Sequence, residues 1–447
     1  MKAPPKEGNL EAPTRHAIDW KNPDYYDESA VEQEMERVFD ICHGCRRCVS
    51  LCQSFPTLFD LVDESDTMEV DGVEKSDYKK VVDQCYLCDM CYMAKCPYVP
   101  PHEWNIDFPH LMLQAKVIEH KKTGGAFSSN LLSDTDKLGK LAGIPLVTET
   151  VNTVNSWKPA RSIASKALGV DKEAWIPSYT SKKFRNQANP NLEFEVKDGQ
   201  RTPGKIAIFS TCYVNYSEPG IGQDFVTVLE HNQIPWTIAE KEVCCGMPKL
   251  EQGDLDAVES LKRVNIPSMM GLVEEGFALT ALVPSCVLMF KQELPLLFPN
   301  DKDVQAVSEA FWDPFNYLVS RQKDGLLKTD FKEDIGTISY HVPCHGRVQN
   351  IGKKTEEFLK SIPGAEVHTT ERCSGHGGTY GIRKEFHTSA MKIGKPVFRQ
   401  MNQAEPDYIS SDCPLGGHHI QQGIQVHHDA NPDLAHPMSL VRKAYGI

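Results

Sequence analysis

The rhythm of apolar and polar positions changes along the chain, and the change divides it in two. Up to about residue 30 the sequence is polar and proline-bearing, the pattern of an arm or a poorly ordered tail. Glu32 to Phe39 turns helical, and the apolar run Leu58-Phe59-Asp60-Leu61-Val62 is followed by an acidic stretch from Asp63 to Asp77. Pro97 to Pro101 predicts a rigid, extended piece. Phe108 to His120 reads as an amphipathic helix with Leu111, Met112, Ala115 and Ile118 on one face. Residues 123–200 carry scattered helical signals, the mark of a helical connector with loops. From Lys205 the period shortens. Lys205 to Phe209 (KIAIF) reads as a buried strand, Phe225 to His231 as a helix and Leu279 to Val283 as a second strand. Thr337 to His341 and Tyr408 to Ser410 repeat the plan, and each of these four strands runs into a cysteine: Cys212, Cys286, Cys344 and Cys413. Open α/β sheets build their sites at the C-terminal ends of their strands.

Composition narrows the function classes. A net charge of -13 over 447 residues argues against a nucleic-acid partner, which needs a basic patch. The longest apolar stretch, Gly276 to Phe290, is broken by Pro284, Ser285 and Cys286 and is too short to span a bilayer. The opening MKAPPKEGNLEAPTRH lacks the apolar core of a signal peptide. The expectation is a soluble, cytoplasmic protein whose membrane or quinone contact, where it occurs, is peripheral or through a partner on the inner membrane face. Fifteen cysteines in a reducing compartment favour ligation by metal.

Their spacing says which metal. Cys42, Cys45, Cys48 and Cys52 form one run, and Cys85, Cys88, Cys91 and Cys96 a second of almost the same design. Cys at every third position puts three thiolates around one tight turn, as a 4Fe-4S cubane requires, whereas zinc usually takes paired C-x2-C knuckles. In two-cluster ferredoxins the fourth Cys ligates the other cluster. The expected wiring is therefore crossed: Cys42, Cys45, Cys48 and Cys96 on one cluster, and Cys85, Cys88, Cys91 and Cys52 on the other. Two departures stand out: Gln53 replaces the proline that follows the fourth Cys, and four residues instead of three separate Cys91 from Cys96.

A second signal is an internal repeat. Cys212 is followed after 32 residues by Cys244-Cys245-Gly246 and, 42 after Cys244, by Cys286; Cys344 is followed after 29 by Cys373-Ser374-Gly375 and, 40 further on, by Cys413. Adjacent cysteines cannot both face one apolar core, and the glycine lets backbone approach a bulky inorganic group.

This repeat resembles the cysteine-rich CCG domain of the heterodisulfide reductase family. The layout over residues 38–447 is similar to the C-subunit type of anaerobic glycerol-3-phosphate dehydrogenase. The stretch Cys88 to Pro97 and His110 to Leu113 resembles its rubrerythrin-associated branch. The resemblance implies an α+β multidomain fold: an N-terminal α-helical ferredoxin followed by two α/β cysteine-rich CCG-type domains. The expected divisions are a polar arm (1–37), the two-cluster ferredoxin (38–122), the helical connector (123–200), CCG domain 1 (201–330) and CCG domain 2 (331–447). The implied function is electron transfer within an oxidoreductase, with a flavoprotein dehydrogenase or rubrerythrin-like protein as partner. The alternative is a disulfide or heterodisulfide reductase acting through Cys244 and Cys245.

The full motif ends in C-x2-C, and here both halves depart from it. The first keeps Cys212, Cys244, Cys245 and Cys286, enough for one additional iron-sulfur centre. The second keeps Cys344, Cys373 and Cys413, with Ser374 in place of a thiol. Two readings remain for that half: His345 or His376 completes a site, or it is a degenerate half retained for packing or docking. The glycine-rich run Gly375 to Gly381 lacks the P-loop Lys-Ser/Thr pair and reads as backbone wrapping a site. His418-His419 and His427-His428 read as solvated surface. No G-x-G-x-x-G follows a strand, so no flavin or nicotinamide is expected on this chain.

Overall fold

The computed structural model describes Gly8 and residues 11–447. Two four-stranded parallel sheets lie in the C-terminal half, with the same topology. The first comprises β1 (Ile206–Phe209), β2 (Trp236–Ile238), β3 (Ala278–Ala281) and β4 (Phe311–Trp312), in the order β2-β1-β3-β4. The second comprises β5 (Thr337–His341), β6 (Glu366–Thr370), β7 (Tyr408–Ser411) and β8 (Asp433–Leu434), in the order β6-β5-β7-β8. Register is regular within each: Ile206 pairs with Trp236 on one side and Ala278 on the other, as Ile338 pairs with Val367 and Tyr408. Every residue of β1 and β3 is buried, as expected of central parallel strands covered on both faces. The cysteine repeat is thus also a repeat of fold.

The remainder is helical. The helix Glu28–Cys45 starts four residues before the apolar pattern suggests, because Asp27 caps it by accepting from the Ala30 N–H at 3.1 Å. The helix expected there forms as Phe108–Thr123, ended by Gly124, but it buries Leu113 and Val117 as well as Leu111, Met112 and Ile118 and so is covered on more than the one face predicted. Four further helices, Phe127–Ser133, Thr135–Ala142, Val147–Ser156 and Lys158–Leu168, build the connector. Pro97 to Pro101 forms turns in place of the expected extended piece, fixed by the Ile106 N–H donating to the Tyr98 carbonyl at 2.9 Å.

The polar N-terminal segment is a docked strap from residue 11 onward, not a loose tail. Thr14 donates to the Pro100 carbonyl, Ile18 N–H to Leu296 and the Trp20 indole to Leu297, at 3.0, 2.8 and 3.1 Å. The strap therefore sews the cysteine-rich helical unit to the first α/β unit. One continuous buried cluster runs from Ile18 through Phe39, Phe55 and Phe108 to Phe290 and Tyr445, so these units share a core.

Candidate metal centres

Each cysteine run wraps a turn pinned by a left-handed residue directly after its second Cys. These residues are Arg46 (φ 51°) and Asp89 (φ 60°). A non-glycine residue there costs about 1–2 kcal/mol, and an ion pair anchors each: Arg46 to Asp63, and Asp89 to Arg15 at 2.5 Å. The turns gather the thiols into two sets. Cys42, Cys45, Cys48 and Cys96 line one small cavity with Tyr98 and Ile106; Cys52, Cys85, Cys88 and Cys91 line a second with Leu51 and Tyr86. The fourth Cys of each run sits with the opposite run's first three, and Phe55 lines both cavities.

Burial, reinforced by neighbouring thiols, favours the neutral form of Cys42, Cys48, Cys52, Cys91 and Cys96. Cys48 is pushed up to about 12 and Cys96 to about 11, while Cys42, Cys52 and Cys91 lie well above the usual thiol range. Four soft donors around one apolar-walled space fit an iron-sulfur cluster, whose irons would take the thiolates and release the protons. Among the described residues, no three Cys, His, Asp or Glu side chains converge as ligands of a single ion would.

Around the second set lies a buried charge network. Arg15 also meets Asp107 at 2.9 Å and Glu293 at 3.8 Å, and His110 stands 3.2 Å from Asp107. Lys116 donates to the carbonyls of Cys85 and Glu251, linking the second cysteine set to the first α/β unit.

In that unit, Cys212 opens the helix that follows β1, Cys244 and Cys245 sit on the loop after β2, and Cys286 lies in the helix after β3. Cys212 with Cys244, Cys244 with Cys245 and Cys245 with Cys286 are neighbours whose thiols shift one another's pKa. Bonds from Cys212 and Cys245 pull the Cys244 thiol down, helped by Thr135, whose hydroxyl donates to its Sγ at 3.4 Å. Gly246 turns the chain at φ 103°, where a side chain would meet Met289. A cavity of about 210 Å3 opens on Cys212, Cys245 and Cys286. Its other walls include Trp175 and Tyr179 of the connector and His376 of the second unit.

The second half differs. Cys344 and Cys373 are neighbours whose thiols shift each other's pKa, and Cys88 acts on Cys344 in the same way. The Tyr86 hydroxyl lies 3.1 Å from the Cys373 Sγ. The Cys413 Sγ accepts the Gly416 N–H at 3.4 Å, and burial pushes its thiol up to about 11. His376 lines the first-half cavity, and burial pushes the His345 pKa down against the pull of Asp89 and Glu293. The glycine-rich loop wraps its neighbours: Gly377, at φ 52°, lies so close to Tyr86 that a Cβ would come within 2.8 Å of the ring. His418 and His419 are not solvated. His418 stacks on Trp175 at 4.1 Å and pairs with Glu218, and His419 is buried beside Phe398. His427 and His428 are exposed as expected.

Comparison with known proteins finds the same internal repeat. Residues 206–291 and 338–421 each match the model of the CCG cysteine-rich domain. The C-subunit of anaerobic glycerol-3-phosphate dehydrogenase from Escherichia coli K12 is 26% identical over 342 residues, covering 74% of this chain and 81% of that protein. The B-subunit of the fumarate reductase (CoM/CoB) from Methanothermobacter marburgensis is 26% identical over 252 residues, 55% of this chain but only 48% of the relative. Lactate utilization protein A of Bacillus velezensis is 26% identical over 219 residues, 47% of this chain and 87% of its own length. The chain thus carries two CCG cysteine-rich domains and is similar to the C-subunit of anaerobic glycerol-3-phosphate dehydrogenase and to other iron-sulfur proteins.

Proposed function

We propose that this chain is the iron-sulfur electron-transfer component of an oxidoreductase. Cys42, Cys45, Cys48 and Cys96 would hold one 4Fe-4S cluster, and Cys52, Cys85, Cys88 and Cys91 a second. Cys212, Cys244, Cys245 and Cys286 would hold a further iron-sulfur centre. One observation carries the reading: three sets of four thiols lie within one shared core, the first two meeting at Phe55, and Lys116 ties the Cys85 carbonyl of the second to the carbonyl of Glu251, which lines the cavity beside the third. Such clusters supply one-electron transfer, and burial and hydrogen bonds to sulfur tune their potentials. The donor is a redox partner protein, in the finer reading a flavoprotein dehydrogenase or a rubrerythrin-like protein, and the acceptor a quinone, a disulfide or a protein. Among the described residues no helix is long and apolar enough to cross a membrane, which fits a peripheral association through that partner.

A second reading, catalysis of disulfide reduction at Cys244 and Cys245, is favoured by the cavity beside Cys212, Cys245 and Cys286, which has room for a small substrate. The test common to both is the Cys244→Ala/Cys245→Ala double variant. It should lose one paramagnetic centre and all transfer to the terminal acceptor while both ferredoxin-type clusters remain reducible. An unchanged EPR spectrum would remove the third centre from the account. Turnover of disulfides by the isolated wild-type chain would select the second reading.

A further inference from the structure

Two cavities meet at one side chain. Glu251 ends the helix Met247–Glu251 and lines the cavity at Cys212, Cys245 and Cys286. It also lines a cleft of about 500 Å3 between the cysteine-rich helical unit, the connector and the second CCG unit. Glu251 is only 9% exposed, and its carboxylate lies against the glycine-rich loop, where a Cβ on Gly378 would strike Oε2. Among the described residues that carboxylate makes no hydrogen bond and no ion pair. A buried carboxylate without a partner is costly in its charged form. Burial accordingly raises its pKa to about 7, with Lys116 opposing and Cys244 adding to the rise.

The charged groups around it are engaged elsewhere or screened. In the cleft, Lys116 donates to the carbonyls of Cys85 and Glu251, His120 stands 3.9 Å from Asp254, and Arg383 pairs with Glu385 at 2.8 Å. Lys249, on the same helix as Glu251, donates to the Asn130 carbonyl at 3.5 Å. Glu28, Lys75, Lys79 and Glu119 line the cleft from exposed positions, and Glu32 and Asp83 from half-buried ones, so solvent enters and screens them. On the cavity side, burial pushes the His376 pKa down to about 4 and raises those of Tyr179, Tyr213 and Tyr216, which leaves all four neutral.

We propose that Glu251 is the proton-transfer residue of the third thiol set: each electron that reaches Cys212, Cys244, Cys245 and Cys286 is accompanied by one proton that the Glu251 carboxylate draws from the cleft. The inference rests on the iron-sulfur centre proposed above for those thiols. In the uptake step one electron arrives from the redox partner by way of the other two clusters. The added negative charge favours the protonated carboxyl, so Glu251 Oε gains an O–H bond to a proton from cleft water and the buried site gains no net charge. In the release step an acceptor in the cavity takes the electron, the Oε–H bond breaks and the proton follows it into the cavity. Two such cycles deliver the two electrons and two protons that a quinone, one of the acceptors named above, takes up. The glycine-rich loop gives the carboxyl its room, since any side chain at Gly378 would occupy the place of Oε2.

An EPR-monitored redox titration of the full, anaerobically reconstituted chain reads the midpoint potential of the third centre at a series of pH values. In the wild type that potential should be flat below about pH 7, where Glu251 is already protonated, and should fall above it. The slope should approach about 59 mV per pH unit, the equivalent of a tenfold change in proton activity for one electron. Glu251→Gln should keep the iron of the centre and remove the slope, and Glu251→Asp should restore it. The redox-difference infrared spectrum should show a carboxylic-acid carbonyl band that appears on reduction of the wild type and is missing from Glu251→Gln. A wild-type potential independent of pH, or a slope unchanged in Glu251→Gln, would overturn the proposal while leaving the metal assignment standing. Absence of a third paramagnetic centre in the wild type is the distinct failure that defeats the metal assignment, and the proposal with it. If Glu251→Gln does not hold the centre, Glu251→Asp decides: the pH at which the slope begins must move, and an unmoved onset overturns the proposal.

Discussion

Arg15 is the residue on which the region around the second cysteine set depends most. Its guanidinium is almost wholly buried and meets Asp89, inside the cysteine turn, and Asp107, at the start of the helix Phe108–Thr123. Burying three charges is costly, so this network repays its desolvation only while complete. Arg15→Met should therefore cost about 3–5 kcal/mol, read by denaturant unfolding; a cost below about 1 kcal/mol, the scale of exposed pairs, would show that the network is solvated. His110 adds a pH signature. Burial and Arg15 push its pKa down, but Asp107 and Glu293 outweigh them and raise it to about 9. A raised folded-state value means that its contribution is complete below the unfolded pKa, about 6.5, and is lost as pH rises through about 9. The wild-type melting temperature should fall across that window relative to His110→Gln, and parallel curves would refute it. Neither residue was legible in sequence, since Arg15 lies in a polar segment and its partners are 74 and 92 positions away.

At the scale of elements, the strap of residues 11–27 has a structural role that its composition conceals. Trp20 is 2% exposed, packs edge-on against Phe298 at 5.9 Å and donates to Leu297. Trp20→Ala should cost about 3–5 kcal/mol and loosen both units together, observed as a single, lowered unfolding transition. Two separate transitions would mean that the units have independent cores. Strands show the complementary lesson. β1, β3, β5 and β7 are the central strands and were readable as apolar runs before a cysteine, because parallel central strands are buried on both faces. β2, β4, β6 and β8 are edge strands. Two of them are only two residues long, and β6 alternates exposed and half-buried positions, so their pairing depends on neighbours that no local pattern shows.

At the scale of the whole molecule, the cysteine spacings foretold which thiols gather into sets, but not how the repeated halves arrange theirs. The first half keeps a chain of four thiols and borrows its cavity walls from the connector and from His376, 164 positions beyond Cys212. The second sets Cys373 against Tyr86 of the second cysteine run, the hydroxyl 3.1 Å from the sulfur. Such sharing follows from packing the units around one core, and a local motif carries no record of it. The grouping of the eight N-terminal cysteines is the central claim, and EPR of the reduced, anaerobically reconstituted Cys52→Ala chain tests it most directly. The account predicts loss of the cluster held by Cys85, Cys88 and Cys91, with a surviving signal that only a further change at Cys42 or Cys45 removes. If Cys52→Ala instead abolishes the same signal as Cys48→Ala, the fourth cysteine serves its own run and the crossed grouping is wrong.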